Sequence, residues 1–273
     1  KLIGIVDVKV LLTAGEARKI GEIMDENVLY ARTLDDQEYV ANMINKYGLV
    51  AIPIIDHEDC LVGIVTVDDA MLVLQDETTE DISIMAGVAP NEDSYFGTSV
   101  FQHAKNRSLW LMLMMLSATV TGEILGYYEN AMAVMPVLIT FIPMLMGTGG
   151  NCGSQSSTLV IRGLAVGEIE FRDIFRVIFK EIRIALIVGL LLSVVNGIRI
   201  YIMYGQNLML ALALGITMIA VVSMAKCIGC ILPLAAKKLG LDPAIMAAPL
   251  ITTILDTCTI LVYFNIVTAI FHI

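Results

Sequence analysis

The rhythm of apolar and polar positions changes near residue 107. Before that point apolar residues come in short β-branched runs and in one helical period. After it they form stretches long enough to cross a bilayer. In the first part, Leu34–Lys46 puts Val40, Met43 and Ile44 on one face and predicts a helix with Asp35 near its start. Leu49–Ile55 and Leu61–Val67 predict strands joined by the polar turn Asp56–Asp59, and a further helix is expected from Asp68. The run Leu2–Leu12 repeats Leu61–Met71 at an offset of 59 residues, so each predicts a short strand entered through a glycine and followed by a helix start.

Past residue 107, five apolar stretches can span a hydrocarbon core of about 30 Å at about 1.5 Å per helical residue. They lie near 109–129, 131–150, 174–203, 208–236 and 245–271. Pro136 and Pro143 predict a bend or break in the second. Gly122-x-x-x-Gly126 in the first would permit a close helix approach. The fold class expected is an α-helical polytopic membrane domain of five transmembrane helices, preceded by a partial α/β regulatory domain.

Composition sharpens this division. The 273 residues are 57% hydrophobic, with mean hydropathy +0.79, which excludes an ordinary soluble domain. Residues 1–107 hold 19 acidic and 8 basic side chains, whereas residues 108–273 hold 8 and 9. An acidic water-facing part repels phosphates and excludes nucleic acid as a partner; a cation suits its sign better. Basic residues cluster at Arg162, Arg172, Arg176 and Lys180, and again at Lys237 and Lys238, while the opposite links lack them. The bias predicts a cytoplasmic N-terminal part and an outside C-terminus, with Arg199 as the exception.

The chemistry concentrates in the last apolar stretch. Asp256 lies inside Pro249–Phe264, where a lone carboxylate costs about 2.5–3.5 kcal/mol on insertion scales and so faces a partner, water or an ion. Thr252, Thr253 and Thr259 share its face at helical spacing, with Thr257 nearby, which reads as a cation pathway. The competing reading is a structural ion pair. Lys226 is expected to pair with Glu123 or Asp256, or to snorkel. A second polar motif, Gly147–Thr158, follows directly on an apolar run. Gly149, Gly150, Asn151 and Gln155 are pore-lining candidates there, through carbonyls and amides on an irregular backbone. From Asp68 to Asp81 there are six carboxylates and no basic residue, with Glu77, Glu80 and Asp81 on one helix face. A divalent cation would relieve their repulsion, although such a charge run is usually just a solvated face. Cys227 and Cys230 share a helix face without a second pair and read as packing residues. No nucleophile–base pairing or ATP-hydrolysis motif points to an enzyme.

The strand–helix order of Ile20–Leu74 resembles one full copy of the CBS domain, a regulatory β/α module that works in pairs. Residues 1–19 resemble the tail of a preceding copy, so the chain reads as lacking an N-terminal portion. Gly63, Thr66 and Asp69 match the run that in many such domains binds a nucleotide, whereas Gly4, Asp7 and Val10 do not; Thr66 and Asp69 can equally cap the helix after them. Three further runs, Gly149–Gly167, Leu239–Ala244 and Pro249–Phe264, resemble the MgtE family of magnesium channels and transporters. The resemblance implies a membrane homodimer with a pore on the dimer axis, Mg²⁺ as the ion, and Asp256 as its pore site. It also implies that residues 75–107 form an acidic connecting helix and interfacial linker ahead of a pore domain at 108–273. Asp69, Glu77, Glu80, Asp81 and Asp242 are then regulatory Mg²⁺ ligands whose occupation favours the closed state. The alternatives are a preference for Mn²⁺ or Co²⁺, and a membrane-anchored sensor of adenine nucleotide.

Overall fold

The computed structural model describes residues 1–91, 93–205 and 207–272. It divides into two compact units, Lys1–Glu80 and Asp81–Ile273.

The first unit is built on a three-stranded sheet of order β1-β2-β3, with β1 at Ala31–Arg32, β2 at Ala51–Ile55 and β3 at Leu61–Thr66. β2 pairs parallel with β1 and antiparallel with β3, with a register shift at Ile54/Ile55. Helix α2, Gln37–Tyr47, packs Val40, Ala41 and Ile44 onto Ile52 and Ala70. Asp36, one residue after the expected Asp35, caps it by accepting the N–H groups of Glu38 and Tyr39. Gly48 ends it at φ 62°, a left-handed conformation that glycine adopts without steric cost. In the turn between β2 and β3, Asp56 Oδ1 accepts from Glu58 and Cys60 at 2.9 and 2.8 Å. These N–H groups, that of Cys60 foremost, hold the Asp56 carboxyl below its ordinary range.

The expected strand at Leu2–Leu12 does not form. An isolated bridge joins Ile5 to Asp25, and the expected helix start follows as α1, Val8–Thr13, which Asp7 caps through the N–H of Lys9. A local cap wins where no neighbouring strand offers a full ladder.

Helix α3, Val67–Met85, runs unbroken past residue 75 and carries the acidic run in its later turns. It closes on Gly87 at φ 69°, with the N–H of Val88 bonded to the carbonyl of Ser83 and that of Gly87 to Ile84.

In the second unit, α4 spans Val100–Tyr127 and α5 spans Glu129–Val134. A 3₁₀ turn at Pro136–Phe141 follows, then α6 at Ile142–Ala165, α7 at Ile174–Met203 and α8 at Leu208–Lys238. A second 3₁₀ turn, Pro243–Met246, leads into α9 at Ala248–Phe271. Pro136 and Pro143 break the second apolar stretch as expected, because neither supplies an N–H to a continuous helix. The freed carbonyl of Leu138 is taken up by the buried Tyr263, whose O–H donates to it at 2.9 Å. Tyr128 stacks on Phe264 close by, with ring centroids 4.6 Å apart.

α8 lies against α6, α7 and α9, and α6 against α9. α4 leans on α9, and Thr121 is its buried residue. The close approach that Gly122 and Gly126 would permit is not used within this chain: nothing among its described residues lies within 4 Å of a side chain placed there. Among the described residues three helical stretches are long and apolar enough to cross a membrane, Val100–Tyr127, Leu208–Lys238 and Pro243–Phe271. α6 and α7, at 24 and 30 residues, have spanning length as well.

A candidate ion path along the α6–α9 seam

The glycine-rich motif is not an irregular loop. It forms the middle of α6, and its glycines are contact points with α8 and α9. A Cβ on Gly149 would stand 2.8 Å from the Thr259 hydroxyl, and one on Gly150 would stand 3.1 Å from the Thr252 methyl. Gly153 lies against Leu255 and Ile251 of α9 and the Ala225 carbonyl of α8, while Gly229 of α8 meets the Gly153 backbone. Absent side chains let three helices approach to backbone distance. Gly149 and Gly150 are thus buried in the seam, whereas Asn151 and Gln155, four residues apart, are exposed on one face of α6.

On α9, the hydroxyls of Thr252 and Thr253 both donate to the carbonyl of Pro249, at 3.0 and 2.7 Å. Thr257 bonds across to Thr121 of α4 at 2.7 Å. Thr259 is buried against Gly149, and its hydroxyl has no partner among the described residues. Asp256 lies between these levels and is half-buried. Its carboxylate has no salt bridge or hydrogen bond among the described residues. Thr252, one turn earlier, touches Gly150, whose neighbour Asn151 is exposed, so the seam brings the acid and the amide to one level.

Lys226 pairs with neither Asp256 nor Glu123, and it does not snorkel. It is 5% exposed and lies 3.5 Å from Glu181 Oε2 on α7, itself 8% exposed. Ser156 of α6 donates to the same Glu181 oxygen at 2.6 Å and accepts from Lys226 at 3.2 Å. The sequence hides Glu181 beside Arg176 and Lys180, two of the basic residues behind the predicted orientation. The signal was its period: Glu181, Ala185 and Gly189 fall four apart and are all buried. Glu123 is exposed and forms no ion pair among the described residues.

The regulatory candidates are placed as follows. Glu77 accepts from Gln37 at 2.8 Å, Glu80 is exposed and Asp81 is half-buried. Asp242 caps the 3₁₀ turn before α9 by accepting from the N–H of Ala244 at 2.8 Å. Thr66 and Asp69 form a reciprocal helix cap, hydroxyl to carboxylate at 2.7 Å. Among the described residues no three His, Cys, Asp or Glu side chains converge as a metal cage.

Comparison with known proteins adds to this geometry. The profile of MgtE, a divalent cation transporter, matches residues 142–266, and that of the CBS domain matches residues 20–76. A protein of Thermus thermophilus named magnesium transporter MgtE is 36% identical over 266 residues, covering 97% of this chain and 59% of its own length. The one of the same name from Bacillus subtilis is also 36% identical, over 272 residues, covering 100% and 60%. The chain therefore spans about three fifths of the length of these curated relatives. A crystal structure of the cytosolic domain of the Mg²⁺ channel MgtE in complex with ATP is 41% identical over 27% of this chain and 29% of that one, with a TM-score of 0.26. With a CBS module followed by a transporter domain, and with kinship along nearly its whole length, the chain belongs to the MgtE family.

Proposed function

We propose that the protein lets Mg²⁺ pass through a cell membrane, along a path that Asp256 lines, and that cytosolic Mg²⁺ regulates the flow. The observation that carries this reading is the lone Asp256 carboxylate. The intramembrane lysine that would have neutralised it is already paired with Glu181. A half-buried carboxylate without a protein partner attracts a cation, and one such group cannot dehydrate it. That suits Mg²⁺, which sheds water reluctantly and is often held through few carboxylates. Two copies of the chain facing each other would double the charge and bring the exposed Asn151 and Gln155 of both to one pore, hence a homodimer. Gly149, Gly150, Thr252 and Thr253 shape its wall.

The N-terminal unit then lies in the cytoplasm and the C-terminus outside, following the positions of the basic residues. Flow follows the electrochemical gradient, with an inside-negative potential contributing about 2.3 kcal/mol per charge per 100 mV. Asp69, Glu77, Glu80, Asp81 and Asp242 supply the regulatory surfaces, on which bound Mg²⁺ bridges carboxylates that otherwise repel and so favours the closed population. The end of α3 meets the start of the ion-path helix, since a side chain on Gly87 would stand 3.3 Å from Pro249. An adenine nucleotide on Thr66 and Asp69 would have to open the helix cap they form.

The test is Mg²⁺ entry into liposomes, read with an enclosed dye. Wild type is expected to carry Mg²⁺ and Asp256→Ala to lose that flux while staying folded. Equal flux in both sinks the assignment of Asp256. Competition by Mn²⁺ or Co²⁺ at concentrations well below that of Mg²⁺ would replace Mg²⁺ as the preferred ion.

A further inference from the structure

The cluster of Ser156, Glu181 and Lys226 joins α6 to α7 and α8 rather than to α9. Its place on α6 is informative. The contacts of α6 with α9 and α8 run through Gly149, Gly150 and Gly153, which present smooth backbone to their neighbours. Such a surface permits close approach but supplies few interlocking side chains to fix rotation about the helix axis. Two adjacent serines supply directional bonds instead. The Ser156 hydroxyl donates to Glu181 at 2.6 Å, toward α7 and α8. The Ser157 hydroxyl donates to the Met246 carbonyl at 2.6 Å, toward the turn before α9. Neighbouring residues point about 100° apart around a helix, so two such bonds define its rotation. Gln155 precedes them and stands on the exposed face with Asn151. A buried ion pair contributes little net stability over apolar packing, and its best-attested use is to fix register.

We propose that Ser156, anchored on the Glu181–Lys226 pair, is a positioning residue that sets the rotation of α6 and keeps Asn151 and Gln155 turned toward the ion path. This rests on the reading of the α6–α9 seam as that path. Ser156→Ala removes one of the two bonds that fix α6 but leaves the ion pair intact. The double variant Glu181→Gln/Lys226→Met removes both charges but keeps an oxygen that accepts from Ser156.

Both are measured in two ways. The first is Mg²⁺ flux in liposomes. The second is the rate at which a water-soluble maleimide modifies Gln155→Cys, in a background with the five native cysteines replaced by alanine. Losing one ordinary hydrogen bond is worth about tenfold in a population. Ser156→Ala is therefore expected to lower flux about tenfold and to change the maleimide rate by a similar factor, while the double variant stays near wild type. Unchanged maleimide rates in Ser156→Ala overturn the proposal. So does a double variant that falls as far as Ser156→Ala, because charge rather than tether would then matter. If wild type carries no Mg²⁺, the ion-path reading fails, and the maleimide rates alone still decide whether Ser156 sets the rotation.

Discussion

The hydroxyl oxygen of Thr259 lies 2.8 Å from the point that a methyl group on Gly149 would occupy. The two residues therefore predict opposite outcomes. Gly149→Ala forces α6 and α9 apart, and overpacking of this kind costs about 1–3 kcal/mol. Thr259→Val replaces a buried hydroxyl that lacks a partner among the described residues with a group of the same shape, which is neutral or stabilising. Thermal unfolding in detergent micelles should show a lower Tm for the first and an equal or higher Tm for the second.

Tyr263 secures the break ahead of α6. In Tyr263→Phe the Leu138 carbonyl loses its phenol donor in a buried setting. An unpaired buried group costs about 1–3 kcal/mol, and about 2–4 °C of Tm follows each kcal/mol in a unit of this size. A Tm drop of several degrees is expected, and an unchanged Tm would mean that the bond does not stabilise the break.

Removing Glu181 alone should be worse than removing its pair. Glu181→Ala leaves Lys226 buried without a counter-charge, at a cost of about 3–5 kcal/mol. Adding Lys226→Met to it should restore much of the lost stability. A double-mutant cycle on unfolding free energies measures this, and additive effects would contradict the pairing.

The turn between β2 and β3 carries a pH dependence. The Asp56 carboxyl is held below its ordinary value of 3.8 by the N–H groups of Cys60 and Glu58. Because the folded value is depressed, its contribution is complete above 3.8 and is lost as pH falls through the lower, folded value. Hydrogen-exchange protection of the Cys60 amide should therefore hold above that range and drop below it. Asp56→Asn should flatten the change.

The sequence carried the main lines of this architecture because apolar length and proline position are local properties. The break at Pro136, the extent of α7 and the half-buried Asp256 in α9 could all be read from neighbouring residues. The glycines of α6 misled because glycine serves both a loose loop and a tight helix contact, and the distinction depends on what faces it. Thr259 and Leu255 face it from about a hundred residues away. Glu181 is hidden by its basic neighbours; its period with Ala185 and Gly189 marks it as buried, but its partner Lys226 comes from another helix and shows only in the structure. The Leu2–Leu12 run copied a strand in its residue pattern yet did not pair as one, since a ladder depends on a neighbour rather than on propensity.

Helix α4 has Thr121 as its buried residue among 28, and open space beside Gly122 and Gly126. Such a segment needs none of its siblings to become stable in lipid, since a long apolar helix satisfies its own backbone there. Biogenesis can therefore proceed in two stages. Helix α4 can enter the bilayer as the chain leaves the ribosome, and it can dock on α9 only once that later helix has been made.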